Sequence, residues 1–224
     1  MENYYISVNQ LAEFSASTAK AKIKILEQQI KPNKVLIPWY QGAKSTIRQY
    51  FKNVNDHNPL FKGIQKITEK VPQNKRQLSD KTTSIEALKK IIDLHIEKQF
   101  KGIKYEIVAL TVKDLVIRNV SVGMSPELIF KTKIKGKTSY GGIKIHISKN
   151  KPFDLDQCQK VSTMLMQYIK KNIAGNDEVV LPEFCFCLDV FSGRLVPATD
   201  KNRPIIKSIQ DVCEEIKSKW PKSI

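Results

Sequence analysis

The spacing of apolar positions changes along the chain, and each change predicts a different kind of secondary structure. Over residues 1–75 apolar residues recur every three to four positions, which predicts helices interrupted by prolines. A polar stretch follows, and then a further helix is predicted with Leu88, Ile92 and Ile96 on one face and Thr83 or Ser84 as its N-cap.

Beyond this helix the pattern favours strands. Short β-branched runs between residues 104 and 148 predict three or four strands, of which two form a hairpin. In the last run, GGIKIHIS, the isoleucines face one way, and Lys144 and His146 face the other. An apolar helical stripe over 155–169 then precedes an aromatic-rich strand, a short returning strand and an amphipathic C-terminal helix.

This order predicts an α+β protein with a mixed β-sheet flanked by helices. The helix between the strand near residue 143 and the strand near residue 184 predicts a parallel, right-handed crossover. We predict an N-terminal helical subdomain over 1–75, a polar linker over 76–83, and an α/β core with a C-terminal helix over 84–224.

The charge of the chain adds a prediction about its partner. The 224 residues are 41% hydrophobic, enough for a proper core, and carry a formal net charge of +16. The positive charge is spread over both halves, which favours a broad basic face over a disordered arm. Such a face predicts nucleic-acid binding through the phosphates, and the alternative is a basic surface that serves only solubility.

The remaining composition predicts a cytoplasmic protein without a membrane partner. No run of 18 apolar residues occurs, and the N-terminus lacks the basic-then-apolar pattern of a secretory signal. All the cysteines lie within apolar patterns, which predicts reduced core thiols and not a zinc site or a disulfide framework. They are Cys158, Cys185, Cys187 and Cys213.

The segment SPELIFKTKIKGKTSYGGIKIHI, residues 125–147, carries the candidate chemistry. It predicts two adjacent strands joined by a lysine- and glycine-rich turn, with Glu127 near the start and Lys144 near the end. Together with the order helix, three strands, helix, strand, this segment resembles the core of the PD-(D/E)xK phosphodiesterase superfamily, which includes restriction endonucleases and RecB-like exonucleases. The resemblance covers roughly residues 83–200.

The resemblance implies a restriction-endonuclease-like core that cleaves phosphodiesters with Mg²⁺ or Mn²⁺. Pro126-Glu127 corresponds to the Pro-Asp element, Lys144 to the motif lysine, and Glu86 to the carboxylate of the first core helix. The chain departs from the motif at Gly142, where the family has Asp or Glu. One of the two main metal carboxylates is therefore missing, and Asp189, Glu106 and Asp114 are candidates to replace it.

These residues define the predicted site. Glu127 and Lys144 are the catalytic candidates, and Glu86, Glu127 and Asp189 are the candidate metal ligands. The nucleic-acid-binding candidates, with DNA favoured over RNA, are Lys131, Lys133, Lys135, Lys137 and His146. The alternative function is a non-catalytic adaptor or protein-interaction module that keeps a nuclease-like fold and binds a protein partner.

Each candidate also has a purely structural interpretation. Glu127 and Lys144 suit ordinary charges on a strand edge and an exposed sheet face, and His146 suits a surface histidine. Glu86 suits the first turn of its helix, where a carboxylate favours the dipole. Asp189 suits either a site at the end of a strand or an Asx cap on the Ser192-Gly193 turn.

The segment WYQGAKSTIRQYFK, residues 39–52, mixes aromatic with basic residues. Such a mixture suits base stacking combined with phosphate contacts. We favour the simpler interpretation, a helix that contributes to the core and whose basic side chains extend to water.

Overall fold

The computed structural model describes residues 4–31, 39–110, 112 and 114–221. Its α-helices are α1 (Val8–Ser15), α2 (Ala19–Ile30), α3 (Gln41–Tyr50), α4 (Asn58–Thr68), α5 (Lys75–Asp93), α6 (Leu155–Asn172) and α7 (Arg203–Lys219). Its strands are β1 (Tyr4–Ser7), β2 (Glu106–Ile107), β3 (Asp114–Ile117), β4 (Val120–Gly123), β5 (Leu128–Ile134), β6 (Lys137–His146), β7 (Val179–Asp189) and β8 (Arg194–Pro197).

A five-stranded mixed sheet forms the centre of the fold. Its strand order is β2-β5-β6-β7-β8, and β6 pairs with β7 in parallel while the other neighbours are antiparallel. Helix α6 connects the two parallel strands and begins with a capping box formed by Asp154 and Gln157. The predicted α+β class, with mixed sheets flanked by helices, is confirmed, and so is the parallel pairing of the two long strands.

A smaller sheet has the order β1-β4-β3. The β3–β4 hairpin turns through Arg118 and Asn119, which both have positive φ, as a tight two-residue turn requires. Strand β1 adds to it in parallel, with Ile6 opposite Val122. The sequence predicted the run 114–124 as a single strand, but the run folds back on itself as this hairpin. For the segment that forms β1, it predicted only helices.

The two faces of the large sheet bury different clusters of side chains. On β7, Cys185 and Cys187 face a cluster that includes residues of α1, α2, α6 and α7. Phe186 and Leu188 alternate with them and face a cluster that includes residues of α3, α4 and α5. The N-terminal helices therefore share both buried clusters with later elements of the chain.

Two local predictions were wrong. Residues 76–83, predicted as a polar linker, lie within α5, which begins after Asn74, whose side chain accepts a hydrogen bond from the Gln77 amide. The early turns of this helix are largely exposed, so their polar sequence shows no apolar period. Residues 104–112, predicted as a strand, contribute only β2, and Thr111 lies outside the described residues.

The structure also accounts for the apolar settings of the cysteines. All four are buried free thiols, and burial raises the pKa of Cys185 and Cys213 to about 12. Cys185 and Cys213 are therefore poor nucleophiles, and all four buried cysteines act as small core residues. Within the described ranges, none of the helices combines the length and apolar character needed to cross a membrane.

Candidate functional site

Glu127 and Lys144 lie side by side, as the sequence predicted. Glu127 immediately precedes β5, and its backbone amide donates a hydrogen bond to the carbonyl oxygen of Ile143 on β6. The Lys144 ammonium lies 3.2 Å from both Glu127 carboxylate oxygens and donates a 2.9 Å hydrogen bond to the Ser125 carbonyl. The Ile145 amide donates a further 2.8 Å hydrogen bond to Glu127 Oε2. Both oxygens of this carboxylate are therefore already engaged.

This pair is buried, contrary to the strand-edge and exposed-face interpretations. The side chains of Glu127 and Lys144 are only 3% and 10% exposed. Lys144 faces the side of β6 that α6 covers, as shown by the close approach of Ile169 to Gly142 on the same face. A buried ion pair persists because each charge satisfies the other, so the loss of one partner is costly.

Two further cations, on α3, act on the same carboxylate. A guanidinium nitrogen of Arg48 lies 3.9 Å from Glu127 Oε1, and Lys44 lies one helical turn earlier. Burial lowers the pKa of Lys44, and the positive charges of Lys144 and Arg48 lower it further, against the opposing effect of Glu127. We call Lys44, Arg48 and Lys144 the cationic cluster. Together with Glu127, it carries an excess of positive charge.

The cationic cluster opens onto a cleft of about 780 Å³, the main cleft, through Lys44. Apart from Ile147, this cleft is lined by aromatic, basic and small polar side chains: Trp39, Tyr40, Lys44, Ser79, Thr82, Thr83, Ser148, Lys149 and Asn150. A second cleft of about 530 Å³ shares Trp39 with it and lies along α3, the end of α4 and the start of α5. The segment 39–52 therefore contributes both to the core and to a candidate binding surface. Ile47 and Tyr50 are core residues, while Trp39 and Lys44 line clefts.

His146 and Asp189 form a separate buried pair. His146 Nδ1 lies 2.6 Å from Asp189 Oδ2, and the imidazole stacks on the Phe153 ring at 3.5 Å. Asp189 also accepts hydrogen bonds from the amides of Phe153 and Ser192. Burial opposes the ionisation of Asp189, but these three hydrogen bonds outweigh it and hold its pKa below the usual value.

The surroundings of this pair favour structural roles. The bond from the Ser192 amide is the predicted Asx cap of the turn after β7. His146 is not a surface histidine, because its side chain is only 11% exposed and packs against Phe153. A direct phosphate contact by His146 is therefore not supported.

The predicted metal ligands do not form a metal site. Among the described residues, no group of three or more His, Cys, Asp or Glu side chains is arranged to hold a metal ion. Glu86 lies in the middle of α5, not in its first turn, and pairs with Lys149 at 2.6 Å. The substitutes Glu106 and Asp114 pair with Lys131 and with the Ser121 hydroxyl.

The electrostatics around Glu127 argue against a divalent cation as well. Hard cations require several free carboxylate or carbonyl oxygens. At Glu127 both oxygens already accept hydrogen bonds, and three cationic side chains surround them. The donor set present therefore does not fit Mg²⁺ or Mn²⁺, and we derive no reaction step through a metal.

The predicted nucleic-acid ligands divide into two regions. Lys131, Lys133, Lys135 and Lys137 are exposed around the β5–β6 turn, where Ile134 pairs with Lys137. Glu127 and Lys144 lie at the other end of the same two strands, about 20 Å away at the usual rise per residue. The turn lysines thus form a basic surface distinct from the cationic cluster.

Gly142 is enclosed by its neighbours. A β-carbon at this position would lie 2.8 Å from the Leu128 carbonyl oxygen and 3.3 Å from Cδ1 of Ile169. The first contact is with backbone of the adjacent strand, which cannot yield as a flexible side chain does. The carboxylate that the motif requires two residues before Lys144 therefore has no space in this packing.

Gly142→Asp is accordingly expected to destabilise the protein and to create no metal site. We expect the free energy of unfolding to fall by at least about 2 kcal/mol, because the substitution both overpacks the site and buries a charge. Urea unfolding with and without Mg²⁺ measures this effect. The control is Gly136→Asp at the exposed β5–β6 turn, which has open space around its Cβ but a positive φ, so it reports the cost of backbone strain alone. Stabilisation of Gly142→Asp by Mg²⁺ would contradict this account.

No protein-family model and no curated protein sequence matches this chain. The function must therefore be argued from the geometry of the site. Sequence reasoning identified Glu127 and Lys144 but did not select Lys44 and Arg48 as their neighbours. Their only sequence signal was the mixture of aromatic and basic residues over 39–52.

Proposed function

We propose that this protein binds nucleic acid through its phosphates and does so without metal-dependent cleavage. The observation that carries the proposal is the cationic cluster, in which Lys144 and Arg48 pair with the single carboxylate of Glu127 while Lys44, near enough to feel its charge, lines the main cleft. A structural ion pair needs one cation, and the two additional cations leave positive charge for an external anion.

The energetics of the cluster favour an anionic ligand. Holding Lys44 partly out of water, and beside two other cations, is unfavourable: burial first, and then the two like charges, lower its pKa. A phosphate beside Lys44 would offset this repulsion and restore the preference for the charged amine. The net charge of +16 extends the attraction over the whole molecule, so a polymer of phosphates gains more than a single phosphate ion does.

The order of elements supports the PD-(D/E)xK resemblance as part of this proposal. Helix α5 is followed by β2, β5 and β6 of the large sheet, then by α6 and β7. Glu127, directly before β5, and Lys144 on the adjacent strand β6 lie at one end of that sheet, much as the motif requires. The enclosed Gly142 and the engaged Glu127 carboxylate favour a member of that superfamily that retains binding and lacks the metal.

The proposal includes two finer predictions. DNA is favoured over RNA, because the superfamily that the chain resembles includes restriction endonucleases and RecB-like exonucleases. A cytoplasmic location is favoured because all four cysteines are buried as free thiols, which suits a reducing compartment.

A binding and cleavage assay tests the proposal. Fluorescence anisotropy with labelled DNA and RNA, between about 50 and 200 mM salt, is expected to show affinity that falls steeply as salt increases. Plasmid and single-stranded DNA incubated with Mg²⁺ or Mn²⁺ are expected to remain intact. Metal-dependent cutting that Lys144→Ala abolishes would instead support the nuclease hypothesis. Absence of binding to any nucleic acid would refute the proposal and favour the protein-interaction module.

A further inference from the structure

We infer that the clefts beside the cationic cluster select single-stranded nucleic acid, with Trp39 as the surface on which an unpaired base stacks. The inference rests on the proposed function, because it names the class of nucleic acid that the same site takes. Its starting point is that Trp39 lines both the main cleft and the second cleft, so a strand that follows the two clefts must pass this ring.

Trp39 is both exposed and held in place. Trp39 is 41% exposed to solvent. The centroid of its indole lies 6.3 Å from the centroid of the Tyr40 ring, and the two ring planes meet at 46°. The Arg76 guanidinium lies over the indole, 5.7 Å from its centroid. An exposed aromatic side chain that is already ordered loses little conformational freedom when a base stacks on it.

The backbone beneath Trp39 is also fixed in an unusual conformation. Tyr40 has a φ of 61°, which bulky residues rarely adopt. Its amide donates a 2.8 Å hydrogen bond to Asp80 on α5, and its ring packs against Phe191 at 6.1 Å. Strained backbone persists where surrounding contacts enforce it, and such positions cluster at ligand sites. Here the strain orients the neighbouring tryptophan at the junction of the clefts.

Charge along the clefts suits a phosphate backbone. Lys44 and Lys149 line the main cleft, and Lys70, Arg76 and Lys81 line the second. Among the described residues that line the clefts, Asp80 is the one acidic side chain, and it is engaged by the Tyr40 amide. Hydroxyls of Ser79, Thr82, Thr83 and Ser148 add neutral hydrogen-bonding groups to the main cleft.

This combination discriminates strands from duplexes. In a duplex the faces of the bases are stacked on one another, so only edges and phosphates meet a protein. In a single strand each base can turn one face to an aromatic ring while its phosphates meet the basic groups, largely regardless of sequence. The cationic cluster alone would bind both forms, so the selectivity is assigned to Trp39.

The test compares an oligothymidylate strand with a duplex of the same length. Trp39→Ala is expected to weaken binding of the strand by about tenfold, the usual effect of removing one stacking ring, and to change duplex binding by less than about twofold. Trp39→Phe, which keeps a ring, is expected to retain most of the affinity. The matched control is Phe61→Ala, which removes an aromatic side chain of α4 that is 55% exposed and lines neither cleft.

A spectroscopic signal gives a second, independent measurement. The chain has two tryptophans, and Trp220 packs against Tyr4 away from the clefts. In a Trp220→Phe background the remaining emission comes from Trp39, and it is expected to be quenched when the strand binds. Thermal unfolding of every variant checks that the fold is retained.

The outcomes separate this inference from the proposed function. Equal binding of strand and duplex would overturn the single-strand selection, and so would unchanged strand affinity in Trp39→Ala. In either case, binding that remains sensitive to salt would still support the proposed function. Binding of neither form by the unaltered protein would overturn both. Selective loss of strand affinity in Trp39→Ala, with partial rescue in Trp39→Phe, would support the stacking role.

Discussion

A variant in which both Lys44 and Arg48 are replaced by glutamate is expected to bind nucleic acid at least about 100-fold more weakly at about 0.1 M salt. The substitution removes two of the cations proposed to contact phosphates and places two negative charges near Glu127. Since each lost contact also removes released counterions, the slope of log affinity against log salt is expected to become shallower by about two. Both side chains lie on the outer part of α3, partly or fully exposed to solvent, so the fold is expected to persist.

The matched control is the double variant Lys20→Glu, Lys24→Glu. It makes the same change in net charge at the same helical spacing, on exposed positions of α2. The surroundings differ, because α2 packs with α1 and pairs with α7 through Lys22 and Glu215. An equal loss of affinity in both variants would show that net charge alone governs binding, and the cationic cluster would then have no specific role.

The elements that the sequence predicted well are those whose burial is regular along the chain. Helix α7 buries one stripe of apolar side chains, and α6 buries most of its predicted apolar positions together with polar neighbours. The alternation in GGIKIHIS places its isoleucines on one face of β6. In these segments the local period and the tertiary environment agree, so a pattern read from the residues alone identifies the element.

The elements that were missed depend on contacts that no local pattern contains. Strand β1 exists because Tyr4–Ser7 pairs with Val120–Gly123, more than a hundred residues away in the sequence. The early turns of α5 are exposed, so they carry a cap but no apolar stripe. Lys144 and His146 alternate with isoleucines as exposed residues do, but α6 covers their face of the sheet.

The residues of the candidate site also differ in whether the local sequence determines their contacts. Glu127 and Lys144 were predicted to meet because they belong to adjacent strands of a hairpin with a short turn, whose register is nearly fixed by the turn. Glu86 and Asp189 belong to other elements, and their partners, Lys149 and His146, depend on the packing of the whole fold. The same holds for Lys44 and Arg48, whose proximity to Glu127 arises from the docking of α3 near the end of the sheet.

Glu127→Gln is expected to have opposite effects on stability and on binding. The free energy of unfolding is expected to fall by about 3 kcal/mol, because the buried Lys144 ammonium loses its counter-ion and faces Lys44 and Arg48 without compensation. The affinity for nucleic acid is expected to rise, because the same change removes the negative charge that offsets the cationic cluster. A metal ligand of a nuclease would behave differently, since its loss would remove metal-dependent activity and would not strengthen phosphate binding.

Two variants make this prediction specific to the buried pair. Glu86→Gln removes a half-exposed carboxylate that also pairs with a lysine, and it is expected to change stability by less than about 1 kcal/mol. Adding Lys144→Met to Glu127→Gln removes the uncompensated charge and is expected to recover much of the lost stability, as apolar replacement of buried ion pairs commonly does. Urea unfolding and anisotropy titrations measure both quantities. If Glu127→Gln is as stable as Glu86→Gln, or binds nucleic acid more weakly than the unaltered protein, Glu127 does not have the role assigned to it, which is to hold three cations together in a site that prefers a phosphate.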